Sequence, residues 1–327
     1  MSAALVLDDL RVTFPSAQGP VSAVAGVSLE LRAGEILGLV GESGCGKSTL
    51  ANAAMGLLPP AAQISGAVRL GDRDLTTLDE RALRRARGNE IAMVFQDPAT
   101  SLDPVWPVGD QVAEAIRAHQ DVSRREARSR AVRLMQEVGI PSAETRYGDP
   151  PHRLSGGMRQ RIVIAAALAN EPSVLIADEP TTALDVTIQA QILRQLDTLR
   201  TERGTAVLLI THDLGVVAQV CDRVAVMYAG HVVEVADTER IFADPAHPYT
   251  EALLRAIPGT VEAKDDLRVI PGQVPNLASP PSGCRFAPRC AHASDVCGER
   301  PDLVGEPGAH AVACWHPRSR TIGAVGR

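Results

Sequence analysis

EILGLVGESGCGKST, residues 35–49, decides the fold. Its first six residues form a short apolar run of the length of a buried strand, and a helical pattern follows the loop to about Leu58. Between them, Gly41-Glu42-Ser43-Gly44-Cys45-Gly46-Lys47-Ser48 has the spacing G-x-x-x-x-G-K-[ST] in the strand-to-helix context that such a loop requires. The glycines let the backbone wrap a phosphate chain. Lys47 neutralises β/γ oxygens, Ser48 can ligate Mg2+, and Thr49 follows in the first helical turn. Lys47 and Lys264 are the only lysines among 33 basic residues, so a slim ammonium has been kept where the chain otherwise uses arginine. Cys45 lies between Lys47 and a helix N-terminus. Both favour thiolate, so a low-pKa thiol that MgATP protects is the expectation; the alternative is a thiol tucked against the sheet and inert.

Composition sets the outer limits. A chain of 327 residues with 45% hydrophobic and 22% charged residues can bury a sizeable core, and two compact units are the prior. A net charge of −6 argues against a nucleic-acid platform. No apolar run approaches the ~18–20 residues that span a bilayer. MSAALVLDDL has no basic segment ahead of an apolar core, so no secretory signal is expected, and membrane association would come through a partner.

Strand and helix signals alternate along the chain. Residues 5–14 and 21–31 alternate like half-buried strands of an antiparallel layer, and 64–70 and 91–95 are further strands. Residues 108–119 and 123–138 read as helices within a mostly helical insertion of about 100–170. Strands at 174–177 and 206–210 flank a helix over 186–203; a hairpin at Ala229-Gly230 and two short helices follow, the second near 248–256. This predicts a parallel sheet covered on both faces. From Pro258 onward periodicity is lost and four of the six cysteines appear, which reads as an appended element rather than more of the sheet.

Several polar residues sit where strands end. Val174-Leu175-Ile176-Ala177-Asp178-Glu179 is an apolar strand closing on two acids: Asp178 is suited to the magnesium shell, and Glu179 to orienting or deprotonating an attacking water. Gln96 follows the strand at 91–95 and can touch metal-bound water. His212 follows the strand at 206–210 and can reach a γ-phosphate; a lone histidine there is more often a cap or a surface residue.

LSGGMRQR, residues 154–161, is a second turn of phosphate-binding layout, with a serine and two glycines opening the apolar helix that follows. The ordered set GESGCGKST, FQDP, LSGGMRQR, LIADEP, TALD and THD resembles the ATP-binding subunit of an ABC transporter over residues 5–256. FQDPATSLDP, HPYTEALL and GCRFAPRC narrow the resemblance to subunits that energise oligopeptide, dipeptide or nickel importers. The resemblance implies a P-loop NTPase fold of α/β class, with an antiparallel β subdomain, a helical subdomain, and a nucleotide-binding domain over 1–257 followed by a Cys-rich extension over 258–327.

By the same resemblance Gln96 is the Q-loop glutamine, Ser155-Gly156-Gly157 the signature, Asp185 the D-loop aspartate and His212 the switch histidine. Ser48, Gln96 and Asp178 would share Mg2+, and Phe14 is the candidate for stacking on adenine, with an ordinary buried strand residue as the alternative. Family members pair head to tail, so Ser155, Gly156, Gly157 and Asp185 would serve the partner's nucleotide, which explains two phosphate turns in one chain. Implied partners are a second ATPase subunit, two transmembrane permeases and an extracytoplasmic binding protein, with docking on Gln96 and residues 97–104 at the cytoplasmic face of the membrane. A soluble ABC ATPase of DNA repair or translation would carry a long coiled-coil insertion or two fused cassettes, and a mere ATP sensor would tend to lose Glu179 or His212.

Cys284, Cys290, Cys297 and Cys314 have the spacing C-x5-C-x6-C-x16-C, neither a zinc pair of C-x2-C type nor a ferredoxin run. Cytosolic cysteine clusters favour metal over disulfides. The family's tails imply a [4Fe–4S] cluster, with zinc or unligated thiols as alternatives. Cys221 reads as a small buried residue beside the apolar helix Leu214–Val220.

Overall fold

The computed structural model describes residues 3–182, 184–256, 270–305 and 310–318. Lys264 and the opening of the tail lie outside the described residues. Along the chain run β1 (Ala3–Phe14), β2 (Val21–Arg32), β3 (Ile36–Val40), α1 (Lys47–Ala54), β4 (Gln63–Leu70) and β5 (Arg73–Asp74). Next come α2 (Glu80–Ala86), β6 (Ile91–Val94), α3 (Pro98–Ser101), α4 (Val108–Arg117), α5 (Arg124–Glu137), α6 (Ala143–Arg146), α7 (Gly156–Ala167) and β7 (Val174–Asp178). The last part holds α8 (Val186–Arg203), β8 (Ala206–Ile210), α9 (Leu214–Val220), β9 (Arg223–Tyr228), β10 (His231–Asp237), α10 (Thr238–Ala243), α11 (Pro248–Arg255), β11 (Val304–Gly305) and β12 (Ala311–Val312).

These elements fall into two compact units. One gathers the described residues of 1–5, 31–36 and 70–210; the other gathers those of 6–30, 37–69 and 211–327. In the first, β6, β7 and β8 are parallel, with Ile91 opposite Val174 and Val174 opposite Ala206. Every residue of these strands is buried, as expected where helices cover both faces of a parallel sheet. In the helical insertion, α4 packs on α5 and α7 and buries Val108, Val112, Ala113 and Ile116, one stripe at helical spacing. Tyr147 closes this layer: its hydroxyl bonds Asp110 at 2.7 Å and Arg128 covers its ring at 4.0 Å.

In the second unit β3 runs parallel to β9, with Val40 opposite Val226. β9 turns through Ala229 (φ 45°) and Gly230 (φ 86°) into antiparallel β10, a two-residue hairpin whose positive φ values suit the strands' right-handed twist. β12 pairs with β10, and β11 with β12. The tail therefore does extend this sheet, contrary to the expectation from its sequence: strands of two residues carry no periodicity to read.

A buried carboxylate fastens the tail. Glu234 on β10 is 0% exposed; it accepts from the backbone N–H of Ala246 (2.7 Å) and His247 (2.9 Å) and meets His310 Nε2 at 2.7 Å. His247 in turn caps α11, its Nδ1 accepting from Tyr249 N–H at 3.0 Å. That acceptor role requires an unprotonated ring nitrogen. Burial pushes His247 down to about 4 despite the neighbouring Glu234, and burial with Arg285 and Arg300 pushes His231 down to about 3. A histidine depressed in the folded state leaves stability intact above the unfolded value near 6.5 and withdraws it as pH falls toward 4, because the unfolded chain takes up the proton first. Denaturant unfolding at pH 7.5 and pH 5 is expected to show a loss on the order of 2 kcal/mol for each of these histidines in the acid direction. The loss should be smaller in His247→Asn, which can still cap α11; equal losses in both proteins would contradict this account.

Candidate functional site

The second unit carries the phosphate loop at the C-terminal end of β3. Gly41 (φ 153°) and Gly46 (φ 107°) hold conformations that side chains resist. A Cβ at Gly41 would lie 2.1 Å from Met227 O, and one at Gly46 2.3 Å from Ala23 O. Gly46 caps α1 without any side-chain acceptor, so the helix opens with its N–H groups turned to the loop. Lys47 is buried and folds over the loop, donating to Gly41 O at 2.7 Å and Glu42 O at 3.1 Å. Those carbonyls are weak substitutes for phosphate oxygens, so the ammonium is held where an incoming polyphosphate can take it over.

Three supports of the loop come from far along the chain. Gly230 N–H donates to Cys45 O at 2.8 Å, the Tyr249 hydroxyl accepts from Glu42 N–H at 2.9 Å, and Arg289 donates to both oxygens of the Glu42 carboxylate at 2.7 and 3.1 Å. Sequence reading missed Tyr249 and Arg289 as contacts of the loop. HPYTEALL and GCRFAPRC were visible as words, but nothing local ties them to residues about 200 positions earlier.

Cys45 overturns the reactive-thiol expectation. It is 1% exposed, and burial raises its pKa more than Lys47, 3.7 Å from its sulfur, lowers it. The sulfur is packed against the start of the loop, where it would meet a Cβ added at Gly41 at 2.9 Å. Cys221 is buried too, its sulfur lying 3.0 Å from where a Cβ at Gly38 would stand. Phe14, at the end of β1, is half-buried. His212 is exposed on the segment that Thr211 N–H anchors to Leu39 O at 3.3 Å, at the end of β3. The next residue, Asp213, caps α9.

The first unit holds the acidic strand end. Asp178 is 4% exposed as the last residue of β7. Glu179 follows at φ 48°, a left-handed conformation that costs a non-glycine residue about 1 kcal/mol. Its N–H is tied to Ile210 O at 2.9 Å; its carboxylate accepts from Gln96 Nε2 and from the Thr182 hydroxyl, each at 2.9 Å. The structure therefore joins Gln96 to Glu179, two residues separated by 83 positions. Thr182 is a third member that sequence reading did not pick out. A carboxylate held in place by two donors is suited to orient a water and take its proton.

Ser155 caps α7, its hydroxyl accepting from Met158 N–H at 3.3 Å, and the turn from Ser155 to Gly156 is exposed. Gly157 lies against α8, where a Cβ would stand 3.0 Å from Ile188. Asp185 caps α8 through Ile188 N–H at 3.0 Å. The serine turn and the Asp185 cap are thus neighbours on one face of the first unit.

Cys284, Cys290, Cys297 and Cys314 line one small cavity with His247, Phe286 and Trp315, and all four are free thiols. Burial raises Cys284 and Cys290 and pushes Cys314 up to about 12, with the facing thiols adding to the rise. Backbone N–H groups of His292 and His316 point at the sulfurs of Cys290 (3.4 Å) and Cys314 (3.3 Å). Among the described residues no three His, Cys, Asp or Glu side chains converge tightly enough to hold a single metal ion. Four thiolates on one zinc would stand only about 3.8 Å apart, from a Zn–S bond of about 2.3 Å.

Comparison with known proteins places this architecture. Residues 24–182 match the family model described as ABC transporter, and residues 233–297 match the one described as oligopeptide/dipeptide transporter, C-terminal region. The chain is 51% identical over 318 residues to a "probable peptide ABC transporter ATP-binding protein" of Sinorhizobium fredii, covering 95% of each. It is 47% identical to an oligopeptide transport ATP-binding protein of Salmonella typhimurium (96% of this chain, 93% of that protein). It is also 47% identical to a dipeptide transport ATP-binding protein of Bacillus subtilis (99% and 98%). Among solved structures, a dimeric bacterial ABC transporter cassette superposes with a TM-score of 0.66 at 30% identity, over 72% of this chain and 98% of that one.

The geometry of Cys45 yields a direct expectation. Brief maleimide treatment of the native protein, read by mass spectrometry, should leave Cys45 unmodified with or without MgATP and label it only in denaturant. Rapid labelling of the native loop would contradict its burial.

Proposed function

From the premise that the chain belongs to the ABC transporter ATP-binding family, we propose that it is the ATP-hydrolysing subunit of an importer for di- or oligopeptides. The observation that carries this reading is the match of cassette and tail together to peptide-transport ATP-binding proteins. Nickel or another small solute is the alternative cargo, and nothing in those matches favours it. Among the described residues no helix is long and apolar enough to cross a membrane. Its partners are a second ATPase subunit, two permeases that carry the peptide across, and an extracytoplasmic binding protein. The subunit works at the cytoplasmic face, docked through Gln96 and residues 97–104, and the cassette ends near residue 257, where the Cys-rich extension begins.

The roles follow from the groups. Backbone N–H groups of 41–49 and Lys47 hold the β- and γ-phosphates; Ser48 and Asp178 hold Mg2+, with Gln96 touching its shell; Phe14 stacks on adenine. Glu179 accepts the proton of the attacking water, and the Gln96–Glu179 hydrogen bond couples that base to the docking segment. His212 contacts the γ-phosphate. Ser155, Gly156, Gly157 and Asp185 close over the nucleotide of a second cassette. ATP thus favours the closed pair, and hydrolysis releases it to drive the permeases.

The four tail thiolates suit a [4Fe–4S] cluster, which would add a rigid cross-link to a segment poor in secondary structure. Their gathering around one cavity and the N–H groups aimed at two sulfurs are what a thiolate-held group calls for, and the resemblance of the tail selects the cluster over zinc.

Two experiments test the reading. In the reconstituted transporter Glu179→Gln should bind ATP yet lose at least about 100-fold in steady-state hydrolysis; near-normal turnover would remove Glu179 from its role. Protein purified without oxygen should be brown and carry about four irons with matching sulfide per chain. Replacing any one of Cys284, Cys290, Cys297 or Cys314 by Ser should lower both. Colourless protein with one zinc per chain would overturn the cluster.

A further inference from the structure

A phosphate loop that carries a carboxylate as its second residue has an electrostatic difficulty: Glu42 sits among the groups that must receive three or four negative charges. The structure shows how that charge is held. Arg289 Nη1 and Nη2 grip the two oxygens of Glu42 at 2.7 and 3.1 Å, a fork-on-carboxylate pairing. The same guanidinium donates to Pro271 O at 2.8 Å, Ile270 O at 3.4 Å and the Tyr228 hydroxyl at 3.2 Å, so all three of its nitrogens are engaged. Its side chain is 5% exposed, whereas that of Glu42 is 26% exposed. The arginine is thus the fixed partner and the carboxylate the group being held. Tyr249 fixes the backbone of the same residue through Glu42 N–H.

Arg289 belongs to the tail, directly before Cys290, in the 3-10 turn Ala287–Arg289. The ion pair spans 247 positions and joins the Cys-rich segment to the second residue of the nucleotide loop.

We infer that Arg289 is a positioning residue for ATP binding: by neutralising Glu42 and holding its carboxylate to the tail, it keeps that charge from opposing the nucleotide phosphates and makes ATP affinity depend on a folded tail. The inference rests on the reading of 41–49 as this chain's own ATP site. It gives the tail a part in nucleotide binding as well as in stability. Two like charges about 8 Å apart at an effective dielectric near 20 repel enough to cost about tenfold or more in affinity, and salt screens that repulsion. Glu42 is the second residue of the loop that receives the phosphates, so a separation on that order is the scale at which its released charge would act. The effect falls on binding, because Arg289 touches neither Glu179 nor the water it would activate.

The test uses the full-length chain and a fluorescent ATP analogue with Mg2+, titrated into wild type, Arg289→Gln, and Arg289→Gln combined with Glu42→Gln. Gln at 289 keeps the chain length and one amide donor, and thermal melting together with iron content checks that the tail stays folded. Arg289→Gln should raise Kd about tenfold at low salt and less at 0.5 M salt, and raise KM for ATP more than it lowers kcat. The double variant should recover most of the lost affinity, because the repelling carboxylate has gone. A role confined to packing would predict no such recovery and no salt dependence. Wild-type affinity in Arg289→Gln, or a double variant as weak as the single one, overturns the inference. Should Arg289→Gln unfold the tail, Arg289→Lys takes its place; it keeps the charge without the fork, and weakening beyond about threefold there would contradict the charge argument. Wild type that fails to bind the analogue at all would instead overturn the reading of 41–49.

Discussion

The nucleotide loop leaves β3 so close to its neighbours that only bare backbone passes. With a side chain at Gly41 the loop would run into Met227 O, and with one at Gly46 into Ala23 O. This steric limit ties three separate parts of the second unit together: the end of β9, the β2 segment, and the hairpin whose Gly230 N–H supports Cys45 O. A fully buried parallel sheet supplies the rigidity this closeness needs, since β3 and β9 lose no residue to solvent. The loop's exposed N–H groups then form a preorganised anion cradle rather than a flexible turn.

Charge is managed around that cradle and around the acidic strand end by different means. Lys47 is kept buried on carbonyl partners that a phosphate outbids, so binding exchanges hydrogen bonds rather than creating them from bare water. Glu179 sits on backbone in a costly conformation, and its carboxylate is held by Gln96 and Thr182. Local strain there aims a side chain that an extended strand would point elsewhere. Where the tail attaches, Glu234 on β10 gathers two N–H groups and the tail's His310, a buried carboxylate that is engaged rather than left to oppose folding.

Much of this was legible in the sequence. The buried strands announced themselves as apolar runs, expected over 174–177 and 206–210 and found over 174–178 and 206–210, with the helix 186–203 between them and the hairpin at Ala229-Gly230. Gln96 was legible by its place after a strand, but its bond to Glu179 was not, because partners 83 residues apart leave no local trace. The same holds for Arg289 and Tyr249 on Glu42. Cys45 failed for a different reason: sequence neighbours report charge, while the burial that dominates its thiol comes from tertiary packing. The tail strands were invisible because pairing of two residues is decided by the edge each meets, β10 for β12 and β12 for β11, and not by their own propensity.

ATP bound to this chain drives peptides across a membrane along a path built by other chains. The most direct test is uptake of a labelled oligopeptide into proteoliposomes holding this subunit, its partner ATPase and their permeases, with the binding protein outside and MgATP inside. The account predicts uptake that needs internal ATP and that excess unlabelled peptide competes away. ATP hydrolysis that proceeds with no peptide accumulation, or ATP-driven uptake of nickel to the exclusion of peptide, would contradict it.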